Sequence, residues 1–450
     1  MGRGGLILVA ASHPPQSKED LKQIIHTLTQ AGHKALLVGG VVRDEILGIA
    51  PGDADLLTDA PIEILENLFK VPRVTLAGKS LPICIVHHIE VAPGRGDGDF
   101  PRDDLARRDF TVNAMARDPE TGEITDPFGG ARDIHDGLIR FTGTPKERIS
   151  EDPLRMVRGC RFAARFGFDF APETEQAIRD HAPLLDDVAR ERLIPELVKA
   201  MAMKIPSRFF NLLHDTGLLE RFLPSLDRCW GLDGGPFHGE TVFEHCMMVG
   251  DAVTPKQPLL RLAGFLHDTG KFDAKGIKDG RLTYHGHEKK TSALEQDLRD
   301  LRFSNKDREY ILSLVRCHMR PLTDKTTPKS VRRLLATLAE EGLSTADFMR
   351  LRIADKKSNL KKLAPYTVSD LKLRLNKIRA EQEAGHAVTQ NQLALSGREI
   401  MDLLGLEPGP RVGVIKAALL ELVLEDPELN TRQGLTARVL ALGGDTPELP

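Results

Sequence analysis

Two aspartates, Asp53 and Asp55, stand two residues apart around Ala54, directly after a Pro-Gly turn and ahead of Leu56-Leu57. On a β-strand, residues two apart project from one face, so both carboxylates would stand side by side. Such a pair repels itself unless a cation sits between, and the oxygen preference of Mg²⁺ suits it. Upstream, Gly39-Gly40-Val41-Val42-Arg43-Asp44 joins an apolar strand-like run to a helix. Glycines there let backbone N–H groups approach a phosphate at the positive end of that helix, and Arg43 adds charge. Each feature alone is commonplace. In strand–turn–helix–strand order they read as a nucleotide-plus-metal site.

A second constellation lies in the other half of the chain. His267-Asp268-Thr269-Gly270-Lys271 follows an apolar helix at 259–266, with His245 before it and His287, His318 and Asp355 after it. Histidine and carboxylate ligands from several helices can enclose one or two divalent ions and activate a water. His33, His238 and His285 have no such context and read as surface residues.

The elements that must position these groups change in character along the chain. Leu21, Ile24, Ile25 and Leu28 recur at helical spacing over 18–32. Residues 35–38 read as a buried strand, 41–47 as a helix, 53–57 as a second strand and 83–91 as a third. Between Pro93 and Asp104 runs a Gly/Asp/Pro-rich loop, expected to be mobile. Alternation of strands and helices to Phe141 predicts a small α/β head. After Thr142 the strand signals stop, and helices follow almost throughout, with breaks at 231–236, 273–286 and 405–409. The fold class expected is α+β, a small α/β head on a long all-helical body.

Composition bounds the rest. A chain of 450 residues, 41% hydrophobic and 28% charged, is no disordered tail, collagen-like fibre or membrane protein. No apolar run approaches the roughly 20 residues that span a bilayer. The five cysteines form no C-x-x-C pair, which argues against a disulfide framework or zinc knuckle and for thiols in a reducing cytosol. Residues 3–11 faintly resemble a secretory signal, but the apolar core is at the short limit. The formal net charge of -3 argues on average against a nucleic-acid partner. Locally the balance reverses. Residues 299–333 carry ten Lys/Arg against four Asp/Glu, and 350–379 ten against two, as a phosphate-contacting surface would.

The head motifs carry a family resemblance. Leu37-Val38-Gly39-Gly40-Val41-Val42-Arg43-Asp44, Asp53-Ala54-Asp55 and Arg107-Arg108-Asp109-Phe110-Thr111-Val112-Asn113-Ala114 come first. Glu151-Asp152-Pro153-Leu154-Arg155-Met156-Val157-Arg158 and Glu191-Arg192-Leu193-Ile194-Pro195-Glu196 follow. In this order, over 36–200, they resemble the bacterial-type (class II) tRNA nucleotidyltransferase and poly(A) polymerase family. The resemblance implies that Asp53 and Asp55 hold two Mg²⁺ ions, promoting attack of an RNA 3′-hydroxyl on an α-phosphate and stabilising the departing pyrophosphate. Glu90, on a neighbouring strand, is the candidate third carboxylate. Gly40, Arg43 and Arg108 would meet the nucleotide's phosphates.

Asp152 and Arg155, three apart and so on one helical face, are continued by Arg158 and Arg161. Cytosine and adenine each pair an exocyclic amine donor with a ring-nitrogen acceptor, whereas uracil and guanine present the reverse. An Asp acceptor beside an Arg donor therefore complements C and A and leaves buried polar groups unpaired against U and G. In the family that pair serves as a protein template.

The second constellation resembles the HD phosphohydrolase superfamily, which maps the metal set to His245, His267, Asp268 and Asp355. His287 and His318 fall where two-metal members carry further ligands, and a divalent transition metal is implied there. Residues 395–413 resemble the C-terminal module of HD-bearing members, a contact for the tRNA elbow. The expected division is an N-terminal extension and helix at 1–33, the nucleotidyltransferase head at 34–142, and a helical neck at 143–230. An HD domain at 231–380 and a tRNA-contacting tail at 381–450 complete it. The implied partners are tRNA at its 3′ end and acceptor–elbow region, CTP and ATP, and no membrane, in the cytoplasm. The implied reaction is template-independent CMP and AMP addition, with poly(A) synthesis, CC-only or A-only addition, or an HD phosphohydrolase with an RNA-binding head as alternatives.

Overall fold

The computed structural model describes residues 17–50, 52–74, 82–96, 98–236, 238–360 and 367–444. The signal-like stretch at 3–11 and two of the cations counted above, Lys361 and Lys362, lie outside these. The chain divides into two compact units, residues 1–224 with 300–302, and residues 225–299 with 303–450.

In the first unit, helix Lys18–Gln30 starts where Ser17 Oγ accepts from the Glu19 and Asp20 amides and buries Ile24, Ile25 and Leu28. A seven-stranded sheet follows, built from β1 (Ala35–Val38), β2 (Asp55–Thr58), β3 (Arg73–Val74), β4 (Ile83–Val86), β5 (Ile89–Pro93), β6 (Ala116–Arg117) and β7 (Ile124–Thr125). Its order is β3-β4-β5-β2-β1-β6-β7. β2 and β5 run parallel, while β1 pairs antiparallel with β2 and β6. Leu36, Val38, Leu57, Leu105, Ala114 and Ala116 form the core beneath it.

Three expectations need correction. The run 83–91 is a hairpin and not one strand, because His87 and His88 both take positive φ, 48° and 66°. A two-residue turn with both residues left-handed matches the twist of the strands it joins. His-His lacks the usual Asn-Gly signature of that turn. The second strand begins at Asp55, so Asp53 lies in the bend before it. The loop after β5 is tied down: the Asp103 carboxylate accepts from the Gly98 and Asp99 amides at 3.2 and 3.1 Å, and Arg95 pairs with Asp104 at 2.5 Å.

Strands also recur beyond Thr142. β8 (Leu138–Ile139) pairs in parallel with β9 (Asp169–Phe170) in the first unit. β10 (Gly276–Lys278) and β11 (Arg281–Thr283) form a hairpin in the second. Two or three residues are too few for a period-2 pattern to register.

The second unit is otherwise helical. Val242–Ala252 and Pro258–Leu266 cross at Gly250 and Gly264, where a Cβ on Gly264 would sit 3.2 Å from the Gly250 Cα. Asn305–Cys317 and Thr345–Lys357 pack on them. The tail helices Gly397–Leu404, Pro410–Glu425 and Arg432–Gly444 close over Ile400, Leu419, Val423, Leu435 and Val439, with Ala336 of helix Pro328–Glu340 in the same core. Among the described residues no helix is long and apolar enough to cross a membrane. All five cysteines are buried and unbridged.

Tertiary pairing also trims the basic stretches. Arg316 binds Glu341, Arg333 binds Glu421 and Arg350 binds Asp347 at 2.6–3.0 Å. Arg332 is buried against Glu381 and the Leu424 carbonyl. Acids outside the two stretches thus neutralise part of the local positive excess.

Candidate functional site

The head site assembles at one end of the sheet. β1 ends at Val38, whose register partner is Asp55, and Asp55 in turn is the partner of Glu90 on β5. Register partners on adjacent strands face the same side, so Asp55 and Glu90 stand together and next to the Gly39–Gly40 turn. Asp53 is exposed two residues ahead. These carboxylate donors suit a hard divalent cation. Gly39 takes φ +72° at the start of helix Gly40–Ile46, and a Cβ there would sit 2.6 Å from Arg108 Nη1. Arg108 therefore lies directly over the turn, steadied by Asp104 at 3.3 Å.

Arg43 is placed otherwise than the sequence reading has it. Its side chain is buried, donates to Asp44 at 2.6 and 2.8 Å and to Asn113 Oδ1, and stacks on Phe166 at 4.6 Å. Burial pulls its pKa down against the support of Asp44. So engaged, it braces the Gly39–Gly40 turn from within.

Helix Leu154–Phe166 carries the base-selecting candidates. Asp152 precedes it, and its carboxylate accepts from the Leu154 amide at 3.2 Å and from Arg192 at 2.8 Å. Arg155 pairs with Glu151 at 2.7 Å. The expected Asp152–Arg155 stripe is thus two separate ion pairs, with Arg192 of the neck motif beside Asp152. Arg158, partly exposed, donates to Asp109 at 2.6 and 3.0 Å, while Arg161 is buried against Glu196 and Phe162. Burial works to raise the pKa of Asp109, but Arg158 outweighs it and holds the carboxyl below its usual range. Glu196 is lowered likewise, with Arg161 opposing its burial. Asp109, Asn113, Arg192 and Glu196 complete this network, and each lies inside one of the motifs quoted above.

In the second unit the six candidate ligands converge. Asp268 Oδ1 lies 3.0 Å from His287 Nε2 and 3.4 Å from His318 Nε2, and its Oδ2 lies 3.3 Å from His267 Nε2. His245 Nε2 is 3.3 Å from Asp355 Oδ1. His267, His287 and His318 each face a backbone carbonyl with Nδ1, those of Gly264, Tyr284 and Val315, at 2.6–2.9 Å. That arrangement keeps a proton on Nδ1 and turns Nε2 inward, where a metal would displace any proton it carries. Two such nitrogens, of His287 and His318, meet at 3.2 Å, a contact that needs a proton or a cation between them. The donor set therefore fits a divalent metal.

Burial disfavours charge on His267, yet Asp268 beside it holds the ring's pKa well above normal. Asp268 is driven well below normal against its own burial, by His267 and then Lys271. A cavity of about 910 Å³ opens onto the centre, rimmed by Lys271, Lys278, Arg281, Arg352 and Lys356. His238, read from sequence as a surface residue, lines it as well.

Comparison with known proteins decides the lineage. The poly(A) polymerase head domain matches residues 35–93 and 98–140, and the "probable RNA and SrmB-binding site of polymerase A" matches 167–229. The HD domain matches 238–359. The A-adding tRNA nucleotidyltransferase of Deinococcus radiodurans is 32% identical over 86% of this chain and 91% of its own length. The chain belongs to the tRNA nucleotidyltransferase and poly(A) polymerase family. The multifunctional CCA protein of Nitrosomonas europaea is 36% identical, over 63% of this chain and 73% of its own. A solved relative, the Bacillus stearothermophilus CCA-adding enzyme in complex with CTP, superposes with a TM-score of 0.66 at 26% identity, covering 94% of this chain and 96% of that one. As a member of this nucleotidyltransferase family with a fused HD domain, the chain is an enzyme that depends on divalent metal.

Proposed function

We propose that the protein is a CCA tRNA nucleotidyltransferase, adding CMP and AMP from CTP and ATP to the tRNA 3′ end without a nucleic-acid template, in the cytoplasm. The observation that carries the reading is the register of Asp55 with Glu90 beside the Gly39–Gly40 turn. Asp53, Asp55 and Glu90 would hold two Mg²⁺ ions, which when bound lower the barrier to attack on the α-phosphate and stabilise pyrophosphate. The amides of the glycine turn and the Arg108 guanidinium receive the triphosphate. Asp152 accepts from the exocyclic amine of C or A, and an arginine beside it donates to the ring nitrogen. Arg155 or Arg192 fills that place after a side-chain rearrangement. Arg158, with Arg161 behind it, extends the cationic face. His245, His267, Asp268, His287, His318 and Asp355 would hold a divalent metal in a second, phosphohydrolytic centre.

A-only addition is the second reading, because the relative aligned over 86% of this chain is an A-adding enzyme. The test is incorporation of labelled CTP or ATP into tRNAs ending before C or after CC, and into a generic RNA. Full addition gives C, C, A on the first and A on the second. A alone, and only after CC, establishes the A-adding enzyme instead, and C without A the CC-adding form. Long A tracts on generic RNA would sink both tRNA readings. Asp55→Asn should abolish all incorporation.

A further inference from the structure

We propose that Glu240, which no motif marks, is a positioning residue of the HD centre: one buried carboxylate orients the ring of His245 from behind and ties together the segments that deliver His245 and Asp355. The inference rests on reading the cluster as a divalent-metal centre.

Glu240 is 6% exposed. Its Oε2 accepts from two backbone amides, Gly239 at 2.9 Å and Leu360 at 3.2 Å. Its Oε1 lies 2.8 Å from His238 Nδ1 and 3.1 Å from His245 Nδ1. That His245 nitrogen is itself buried and makes no well-aligned hydrogen bond, and the Glu240 carboxylate at 3.1 Å is the acceptor within its reach. The opposite nitrogen, Nε2, faces Asp355 at 3.3 Å and Asp268 at 3.9 Å. An imidazole that gives one nitrogen to a metal must carry its proton on the other, and an anion there raises its basicity and fixes its plane. His267, His287 and His318 hydrogen-bond neutral carbonyls with this nitrogen, and the Glu288 carboxylate comes no nearer than 4.0 Å to that of His287. Of these four, His245 is the one with a carboxylate at hydrogen-bond distance from its Nδ1.

The same group does mechanical work. Glu240 precedes helix Val242–Ala252, which carries His245, and Leu360 follows helix Thr345–Lys357, which carries Asp355. The Glu240–Leu360 bond therefore closes the two ligand-bearing helices on each other at the point where their ligands meet. His238 and Asn359, 3.3 Å apart, extend the clasp to the cavity wall.

The experiment titrates metal-stripped full-length chain with Mn²⁺ alone by calorimetry, in an Asp55→Asn background so that the head carboxylates contribute little. Glu240→Ala should weaken binding by about 10- to 100-fold. Glu240→Gln keeps the shape and an acceptor but removes the charge, and should fall between the two while melting like the parent when metal-free. Gln therefore decides if Ala does not fold. Wild-type affinity in Glu240→Gln would overturn the inference and leave the metal centre standing. Absence of Mn²⁺ binding to the parent chain would instead remove the metal reading, and the inference with it.

Discussion

Asn113 sits between opposite charges, and replacing it tests the head's buried network directly. Its Oδ1 accepts from Arg43 and its Nδ2 donates to Asp109 Oδ1 at 3.0 Å, with the residue 7% exposed. Only an amide offers an acceptor and a donor from one short planar group. Asn113→Ala removes two hydrogen bonds to charged groups, each worth about 1.5–3 kcal/mol. Asp109 keeps Arg158 and the Phe110 amide, and Arg43 keeps Asp44, so the lower end applies and the loss is about 3 kcal/mol. Asn113→Asp preserves the shape but sets an oxygen where Nδ2 was. Two carboxylates 3.0 Å apart repel by about 5 kcal/mol at an effective dielectric of 20, less what the nearby Arg43 returns.

The isosteric change should therefore cost at least as much as truncation at neutral pH. Its penalty also has a sign in pH. The new carboxyl's folded pKa lies above its unfolded value, so protonation relieves the repulsion and the deficit narrows as pH falls. Scanning calorimetry of the full chain at pH 8 and pH 5 reads both effects. Asn113→Ala should lower the head transition by about 6–12 °C, at roughly 2–4 °C per kcal/mol for a unit of this size. Asn113→Asp should match or exceed that at pH 8 and partly recover at pH 5. An Asp variant that melts above the Ala variant at pH 8, with no recovery at low pH, refutes the charge assignment.

Further outcomes follow from single contacts. Gly270→Ala would place a Cβ 2.2 Å from the His287 carbonyl and 2.8 Å from that of Lys290, so it should displace His287 and weaken Mn²⁺ binding, and wild-type affinity by calorimetry would contradict this. Mn²⁺ at 100 times its dissociation constant should stabilise the second unit by about 2.7 kcal/mol over the chelated protein, seen as a higher melting temperature of that unit alone. Asp109 and Glu196 have lowered folded pKa values, so their contribution is complete above the unfolded values near 4 and is lost as pH falls through the folded ones. The head should hold constant stability above about pH 5 and lose it below pH 4, and Asp109→Asn should flatten that acid limb in a pH series of melts.

Much of the site was legible because its chemistry is local in sequence. The glycine turn, the aspartate pair and the adjacent His-Asp are each read within a few residues, and short-range spacing dictates what they can do. The α/β head and helical body followed from the change of hydrophobic period near Thr142. No tight motif marks Glu90, and only the pairing of β2 with β5 sets it beside Asp55. Register is a long-range choice, set by which strands meet, and no window of sequence contains it.

The same limit explains the arginines. Residue type made Arg43, Arg158 and Arg161 look alike as phosphate or base contacts. Tertiary partners separated them, because Asp44 and Asn113 engage Arg43 inside the head and Glu196 engages Arg161, while Arg158 stays partly exposed beside Asp109. His238 reads as a surface residue and Glu240 carries no motif for the converse reason, since nothing in a segment reveals that it will be buried against a helix end more than a hundred residues away. Sequence alone thus determined which groups could bind metal and phosphate. The tertiary structure decided which charges are neutralised within the protein and which remain for the substrate, because burial and ion pairing depend on neighbours that only folding supplies.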